Sequence, residues 1–141
     1  MYVWSYSFCL LMDVIVTNNI PGKVSQIDNT RLKSLLEQGV AIVDIRRPEE
    51  WRMTGIVAES HLLTFFDEDG GNDPAAWLAL LKPLVLPGEP LILICRTGYR
   101  TNLICDLLVE TTEYQELYNV ADGILGWVAE GFPVTHCPTV T

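Results

Sequence analysis

The feature that most constrains the fold is an alternation of short apolar runs with segments patterned as helices. Residues 91–94 are all apolar, and residues 40–44 are apolar except for Asp44 at the end. Such continuous runs are typical of strands buried on both faces. Residues 62–66 form another apolar run, and residues 117–120 are a further predicted strand. Strands that alternate with helices at this spacing predict an α/β fold with a mostly parallel sheet covered on both faces.

The helices between these strands are predicted partly from residues that typically begin or end a helix. Residues 28–30 offer N-caps for a helix that Gly39 ends, and Asp73 caps another helix with Pro74 at its first position. The other segments predicted as helical are residues 48–51, 102–109 and 122–130.

Composition narrows the class of protein. The chain has 141 residues, 49% of them hydrophobic and 19% charged, which predicts one folded domain rather than a disordered chain. A formal net charge of −9 argues against nucleic acid or an anionic membrane surface as a partner. Five of the six arginines nevertheless lie within residues 46–52 and 96–100, so a small anion remains a possible ligand.

The N-terminal segment is apolar over residues 1–16, yet it lacks the features of a signal peptide. No basic residue precedes it, Asp13 interrupts it, and it is too short to span a bilayer. We expect residues 1–23 to be a poorly ordered extension, residues 135–141 a tail, and the protein cytoplasmic, with export, for example to the periplasm, as the alternative.

Cys95 stands at the end of a predicted buried strand, where ligands bind in open parallel sheets. The following helix directs its N-terminus, with unpaired N–H groups and partial positive charge, at the same point. Gly98 permits a tight loop, and Arg96 and Arg100 add positive charge. Such surroundings stabilise a thiolate, and Thr101 is placed to cap the helix. The alternative is that Cys95 is an inert core residue.

The other cysteines and the histidines carry no comparable signal. Cys105 lies among apolar helix positions and is predicted to be core, while Cys9 and Cys137 have no charged neighbours. No CxxC or Cys/His spacing suggests zinc. No histidine is close in sequence to act as a general base, but a thiolate needs none to attack a sulfur atom.

Three stretches resemble motifs of the rhodanese family. Residues 95–101, CRTGYRT, resemble its active-site loop, residues 42–51, IVDIRRPEEW, its early strand motif, and residues 123–133, GILGWVAEGFP, its closing motif. They occur in the family's order. The family's frequent Gly-His-Ile step is replaced here by Thr-Gly-Ile at residues 54–56.

The resemblance implies a single rhodanese domain at residues 24–134, with an open parallel sheet of about five strands and helices on both faces. It implies a sulfurtransferase that takes a sulfane sulfur from a small anionic donor, thiosulfate or another persulfide, onto Cys95. The persulfide would pass its sulfur to a thiol or protein acceptor, or to cyanide in vitro. No metal or organic cofactor is implied, and the oligomeric state stays open.

The resemblance also implies the site residues, with Cys95 as the catalytic nucleophile. Loop N–H groups would hold the persulfide, and the arginines would seat the donor. The implied substrate-binding residues are Arg96, Thr97, Gly98, Tyr99, Arg100 and Thr101.

Two other functions stay open within this fold: an interaction module without catalysis, and a phosphatase or arsenate reductase. The latter have a loop one residue longer, which would place their arginine at position 101. Here that position is Thr101, which favours sulfur. Asp44 and Arg46 are interpreted as an ion pair at a strand end or as substrate contacts. The tryptophans Trp51, Trp77 and Trp127 are predicted to be core.

Overall fold

The computed structural model describes residues 22–138. The predicted extension lies outside the described residues except for Gly22 and Lys23, as do the last three residues of the predicted tail. Strands and helices alternate along the described chain: β1 (Lys23–Ile27), α1 (Asn29–Glu37), β2 (Ala41–Asp44), α2 (Pro48–Thr54), β3 (His61–Leu62), α3 (Pro74–Leu81), β4 (Leu91–Ile94), α4 (Tyr99–Thr111), β5 (Glu116–Val120) and α5 (Gly123–Ala129).

The five strands form one parallel sheet in the order β1-β5-β4-β2-β3. This confirms the predicted open parallel sheet. β4 lies in its centre, and all four of its residues are buried. That position explains why its sequence is continuously apolar, because both faces of a central strand are covered by helices.

Helices cover both faces of the sheet, as predicted. On one face, Ile42, Ile92 and Val120 belong to a buried cluster with residues of α1 and α5. On the other face, Val43 and Leu93 belong to a cluster with residues of α3 and α4. Asp73 caps α3 through a hydrogen bond from the Ala76 N–H, and Asp28 caps α1 in the same way. The buried aromatic residues include the three tryptophans predicted to be core, Trp51, Trp77 and Trp127.

Three elements differ most from the sequence analysis. β3 is only His61–Leu62, whereas the apolar run covered residues 62–66. β1 was not predicted, because only Ile27 of its five residues is buried and an edge strand needs no continuous apolar run. α4 begins at Tyr99 rather than at residue 102, since Gly98 adopts a left-handed conformation and ends the loop early.

A buried ion pair joins the end of β2 to α2. Arg46 Nη2 lies 2.9 Å from Asp44 Oδ2, and both side chains are fully buried. The same guanidinium donates to Thr54 Oγ1 at 2.8 Å and to the Gly55 carbonyl at 3.0 Å. The ion-pair interpretation of these two residues is therefore confirmed, and Arg46 ties the last turn of α2 to the sheet.

We expect Arg46→Met to lower the free energy of unfolding by about 3–5 kcal/mol, because Asp44 would keep a buried charge without a partner. Urea denaturation measures the loss. The matched control is Lys33→Met, which breaks the exposed Lys33–Glu37 pair and should cost less than about 1 kcal/mol. Equal losses in the two variants would contradict the role assigned to the buried pair.

Candidate active site

The candidate nucleophile lies where the sequence predicted it. Cys95 follows β4 at its carboxyl end, carries a free thiol and is fully buried. It belongs to the same core cluster as Leu91 and Leu93, so it continues the alternation of β4 toward α3 and α4.

Glycine at position 98 lets the loop after β4 pack directly against the backbone at the end of β5. Gly98 has φ +93°, and a Cβ at this position would collide with the carbonyl of Ala121. Gly123 is restricted from the other side of the same contact, since a Cβ at this position would collide with the carbonyl of Arg96 in the loop. Both positions therefore require glycine for the loop and the start of α5 to pack backbone against backbone.

Hydrogen bonds close this backbone contact. The Ile124 N–H donates to the Cys95 carbonyl at 2.9 Å, and the Leu125 N–H donates to the Arg96 carbonyl at 3.2 Å. These donors belong to the first turn of α5, whose N–H groups have no partner within their own helix. The start of α5 thereby holds the loop in place.

Among the described residues, two polar groups lie within hydrogen-bonding distance of the sulfur atom. The Gly98 N–H donates to Cys95 Sγ at 3.1 Å, and Thr101 Oγ1 lies 3.3 Å from Sγ. Within residues 22–138, Gly98 supplies the backbone hydrogen bond to this sulfur. The prediction that Thr101 caps α4 is wrong: because α4 starts at Tyr99, Thr101 lies inside the first turn and its hydroxyl points into the core.

Asn119 on β5 lies beneath the loop and was missed by the sequence analysis. Its Oδ1 accepts a hydrogen bond from the Thr101 hydroxyl, and its Nδ2 donates to the Gly98 carbonyl at 3.1 Å and to Gln26 Oε1 at 2.7 Å. The signal available was an amide side chain inside the predicted strand 117–120. A buried amide has several hydrogen bonds to satisfy, which makes it a marker of a polar site.

Arg100 is engaged in an ion pair that the sequence analysis also missed. Its Nη2 lies 2.8 Å from Glu50 Oε1 and its Nη1 lies 3.1 Å from Glu50 Oε2. Glu50 Oε2 additionally accepts from the Arg47 N–H at 3.1 Å. Because β2 and β4 are neighbours, the segments that follow them meet at one edge of the sheet. The sequence carried no signal for this pair, since it does not give the strand order.

The pair shifts the ionisation of both partners. Burial alone would raise the pKa of Glu50, but hydrogen bonds from Arg100 and from the Arg47 backbone, with the charges of Arg100 and Arg46, hold that pKa below its usual range. The hydrogen bond to Glu50 raises the pKa of Arg100 against the opposing effect of burial, and Cys95 and Asp44 add smaller contributions. Both groups are therefore charged near neutral pH.

The remaining loop side chains form the rim of the site. Arg96, Thr97 and Tyr99 are exposed, Tyr99 to 71%. Cys105 is fully buried, which confirms it as core, and burial raises its pKa to about 12, so it does not offer a second thiolate near neutral pH.

Three further features of the described residues concern metal ions, small ligands and membranes. Among residues 22–138, no cluster of three or more His, Cys, Asp or Glu side chains could hold a metal ion. A cavity of about 500 Å³ opens beside Trp127 and Phe132, and none of its lining residues belongs to the loop at residues 95–101. Within the described part of the chain, no helix is both long enough and apolar enough to cross a membrane.

The fold and site together define an α/β domain in which a loop after a central parallel strand holds a cysteine sulfur at the start of a helix. Known proteins match this description. The sequence pattern of the rhodanese-like domain matches residues 28–130. The chain therefore belongs to the rhodanese-like domain family.

Individual relatives are distant. Thiosulfate sulfurtransferase 18 of Arabidopsis thaliana is 27% identical over 122 residues, which are 79% of this chain and 84% of that protein. Rhodanese-like domain-containing protein 17 of the same plant is 27% identical over 139 residues, 91% of this chain and 87% of that protein. The crystal structure of Rv0390 from M. tuberculosis superposes with a TM-score of 0.66 at 24% identity, covering 80% of this chain and 98% of that one.

We expect Gly98→Ala to destabilise the domain by about 3 kcal/mol or more, because it adds a steric clash with Ala121 to the cost of a left-handed conformation. Gly39→Ala is the matched control: Gly39 has φ +83°, but a Cβ there would have no heavy atom within 4 Å. That variant should lose only about 1–2 kcal/mol. Urea denaturation compares them, and losses of the same size would show that the loop does not pack as described.

The Glu50–Arg100 pair should make stability depend on pH. Because the folded-state pKa of Glu50 lies below its ordinary value of 4.5, its contribution is present above pH 4.5 and is lost as the pH falls through the folded value. Glu50→Gln should therefore cost about 1 kcal/mol at neutral pH and almost nothing in strong acid. Unfolding free energies from urea titrations at both pH values test this.

The matched control for that test is Glu49→Gln. Glu49 pairs with Arg47 at 3.0 Å but is half exposed, so its loss should change stability little at either pH. A cost for Glu50→Gln that is the same at neutral and acidic pH would contradict the ionic contribution.

Proposed function

We propose that this protein is a sulfurtransferase that carries a sulfane sulfur as a persulfide on Cys95. One observation carries the proposal: Cys95 Sγ accepts the Gly98 N–H at 3.1 Å at the start of α4. A hydrogen bond donated to a sulfur atom stabilises its anionic form, and the helix N-terminus and the nearby Arg100 act in the same direction.

The reaction has two steps. The Cys95 thiolate attacks the outer sulfur of the donor, so that a new S–S bond forms while the S–S bond of thiosulfate breaks and sulfite leaves with its electron pair. A thiolate acceptor then attacks the outer sulfur of the persulfide, and Cys95 leaves as a thiolate. Such covalent catalysis gives ping-pong kinetics. The partners are thus a small anionic sulfur donor and a thiol or protein acceptor.

The rim and the loop length support this chemistry. Arg96 is exposed and would meet the anionic donor first, while Arg100 contributes from its pair with Glu50. Thr101 occupies the position at which the resemblance places the arginine of phosphatases and arsenate reductases, and it lies 3.3 Å from the sulfur. The name of the thiosulfate sulfurtransferase relative, at 27% identity, points the same way.

A second candidate is an interaction module of the same fold that does no chemistry. One observation favours it: Cys95 has no exposed surface. A donor can reach Sγ only after the loop or the side chains that cover the sulfur move. The two candidates therefore differ in whether thiosulfate modifies the folded protein.

Incubation of the reduced full-length protein with thiosulfate should add one sulfur, about 32 mass units, to the peptide that contains Cys95. Sulfite should appear in equal amount, and cyanide or a thiol should remove the added mass. Cys95→Ser should abolish all three results, whereas the matched variant Cys105→Ser should retain them. Circular dichroism verifies that each variant is folded.

An unmodified Cys95 in a folded protein would overturn the proposal and favour the interaction module. Turnover of a phosphate ester by the wild type, lost in Cys95→Ser, would instead support a phosphatase.

A further inference from the structure

We infer that Asn119 is a positioning residue that directs the hydroxyl proton of Thr101 and thereby controls the ionisation of the Cys95 sulfur. The inference rests on the proposed function only in taking Cys95 as the nucleophile. It follows from counting the hydrogen-bond donors and acceptors of Cys95, Gly98, Thr101 and Asn119, which contact one another.

The orientation of the Asn119 amide is fixed by a neighbour that can only accept. Its nitrogen lies 3.1 Å from the Gly98 carbonyl oxygen, which has no proton to offer, so this atom must be the NH₂ group. The amide oxygen therefore faces Thr101. Asn119 is only 2% exposed, and its second N–H donates to Gln26 Oε1 at 2.7 Å, so the amide is held in this orientation.

The Thr101 hydroxyl has one proton and three neighbours that can accept it: Asn119 Oδ1, Cys95 Sγ and, more distant at 3.4 Å, the Gly98 carbonyl. Because Asn119 Oδ1 can only accept, Thr101 must donate in that hydrogen bond. Its lone pairs then face Cys95 Sγ at 3.3 Å. A favourable contact at this distance requires the sulfur to be the donor, as an S–H group. With Asn119 engaged, the arrangement thus favours a neutral thiol.

Ionisation of Cys95 reverses this pattern. When the thiol proton passes to solvent, the sulfur needs donors, and the Gly98 N–H already provides one. Thr101 supplies a second only if its hydroxyl turns from Asn119 to Sγ. The Asn119 oxygen is then left buried without that donor, which opposes ionisation. Asn119 therefore restrains formation of the thiolate, and a bound persulfide anion must compete with it for the same proton.

Other ionisable groups surround the sulfur. Arg100 and Cys105 on α4 interact with Cys95, Glu50 on α2 and Asp44 on β2 interact with Arg100, and Arg96 follows Cys95 in the loop. Each is unchanged in the variants below, so none of them accounts for a difference between those variants.

The experiment measures the rate at which iodoacetamide alkylates Cys95 as a function of pH, followed by mass spectrometry of the Cys95 peptide. Access to a buried sulfur scales the rate at every pH, whereas the midpoint of the profile reports ionisation. Asn119→Leu removes the nearest competing oxygen and leaves only the long contact to the Gly98 carbonyl, so we expect it to lower the midpoint by about one pH unit.

The control distinguishes an effect of the Thr101 hydroxyl proton from an effect of a changed loop conformation. In the Thr101→Val background there is no hydroxyl to redirect, so adding Asn119→Leu should leave the midpoint where Thr101→Val alone has it. Thr101→Ser keeps the hydroxyl and should preserve the wild-type midpoint. If Asn119→Leu does not fold, Asn119→Val replaces it, because a β-branched side chain suits a strand and also lacks the oxygen.

Two results would overturn the inference. One is an unchanged midpoint in the folded Asn119 variant. The other is the same shift with and without the Thr101 hydroxyl, which would show that Asn119 acts through the Gly98 carbonyl. Alkylation requires no sulfur donor, so the test stands even if thiosulfate fails to modify the protein.

Discussion

The contact between the loop after β4 and the first turn of α5 is the constraint on which the rest of the site depends. The Ile124 N–H would have no partner within α5, and the Cys95 carbonyl satisfies it. That contact brings two backbones so close that only glycine fits at positions 98 and 123. Once Gly98 is placed, its N–H faces the sulfur and its carbonyl faces Asn119, so the polar site follows from backbone packing.

Most of the buried polar side chains lie at the carboxyl edge of the sheet. Among residues 22–138, four of the five buried polar or charged side chains lie at this edge, in or after β2, on β5 and in the first turn of α4: Asp44, Arg46, Asn119 and Thr101. Burying such groups is unfavourable unless they are hydrogen bonded, and each of these four is. The core clusters on the two faces are otherwise apolar. The strands therefore contribute to the apolar core along their length and to the polar site only at their carboxyl ends.

Much of this arrangement follows from local sequence signals. The features that were missed depend on partial burial or on contacts between residues far apart in sequence, which local signals do not contain. The sheet, the caps of α1 and α3 and the place of Cys95 are readable because apolar runs and capping residues act over a few positions. The edge strand β1 escaped because its burial is partial. The contacts of Glu50 with Arg100 and of Asn119 with Thr101 escaped because they join residues 50 and 18 positions apart. Such pairs depend on strand order, which the sequence analysis did not specify.

The charges at the site indicate where its affinity for an anion originates. Glu50 offsets part of the charge of Arg100, so the Gly98 N–H, the start of α4 and the exposed Arg96 add to the positive potential that Arg100 supplies at the sulfur. The protein as a whole carries a net charge of −9, which repels an approaching anion. Backbone dipoles act only over a few ångströms, whereas that repulsion extends over about 8 Å at physiological salt. The site is therefore suited to stabilising negative charge on a sulfur already in contact, rather than to attracting anions from a distance.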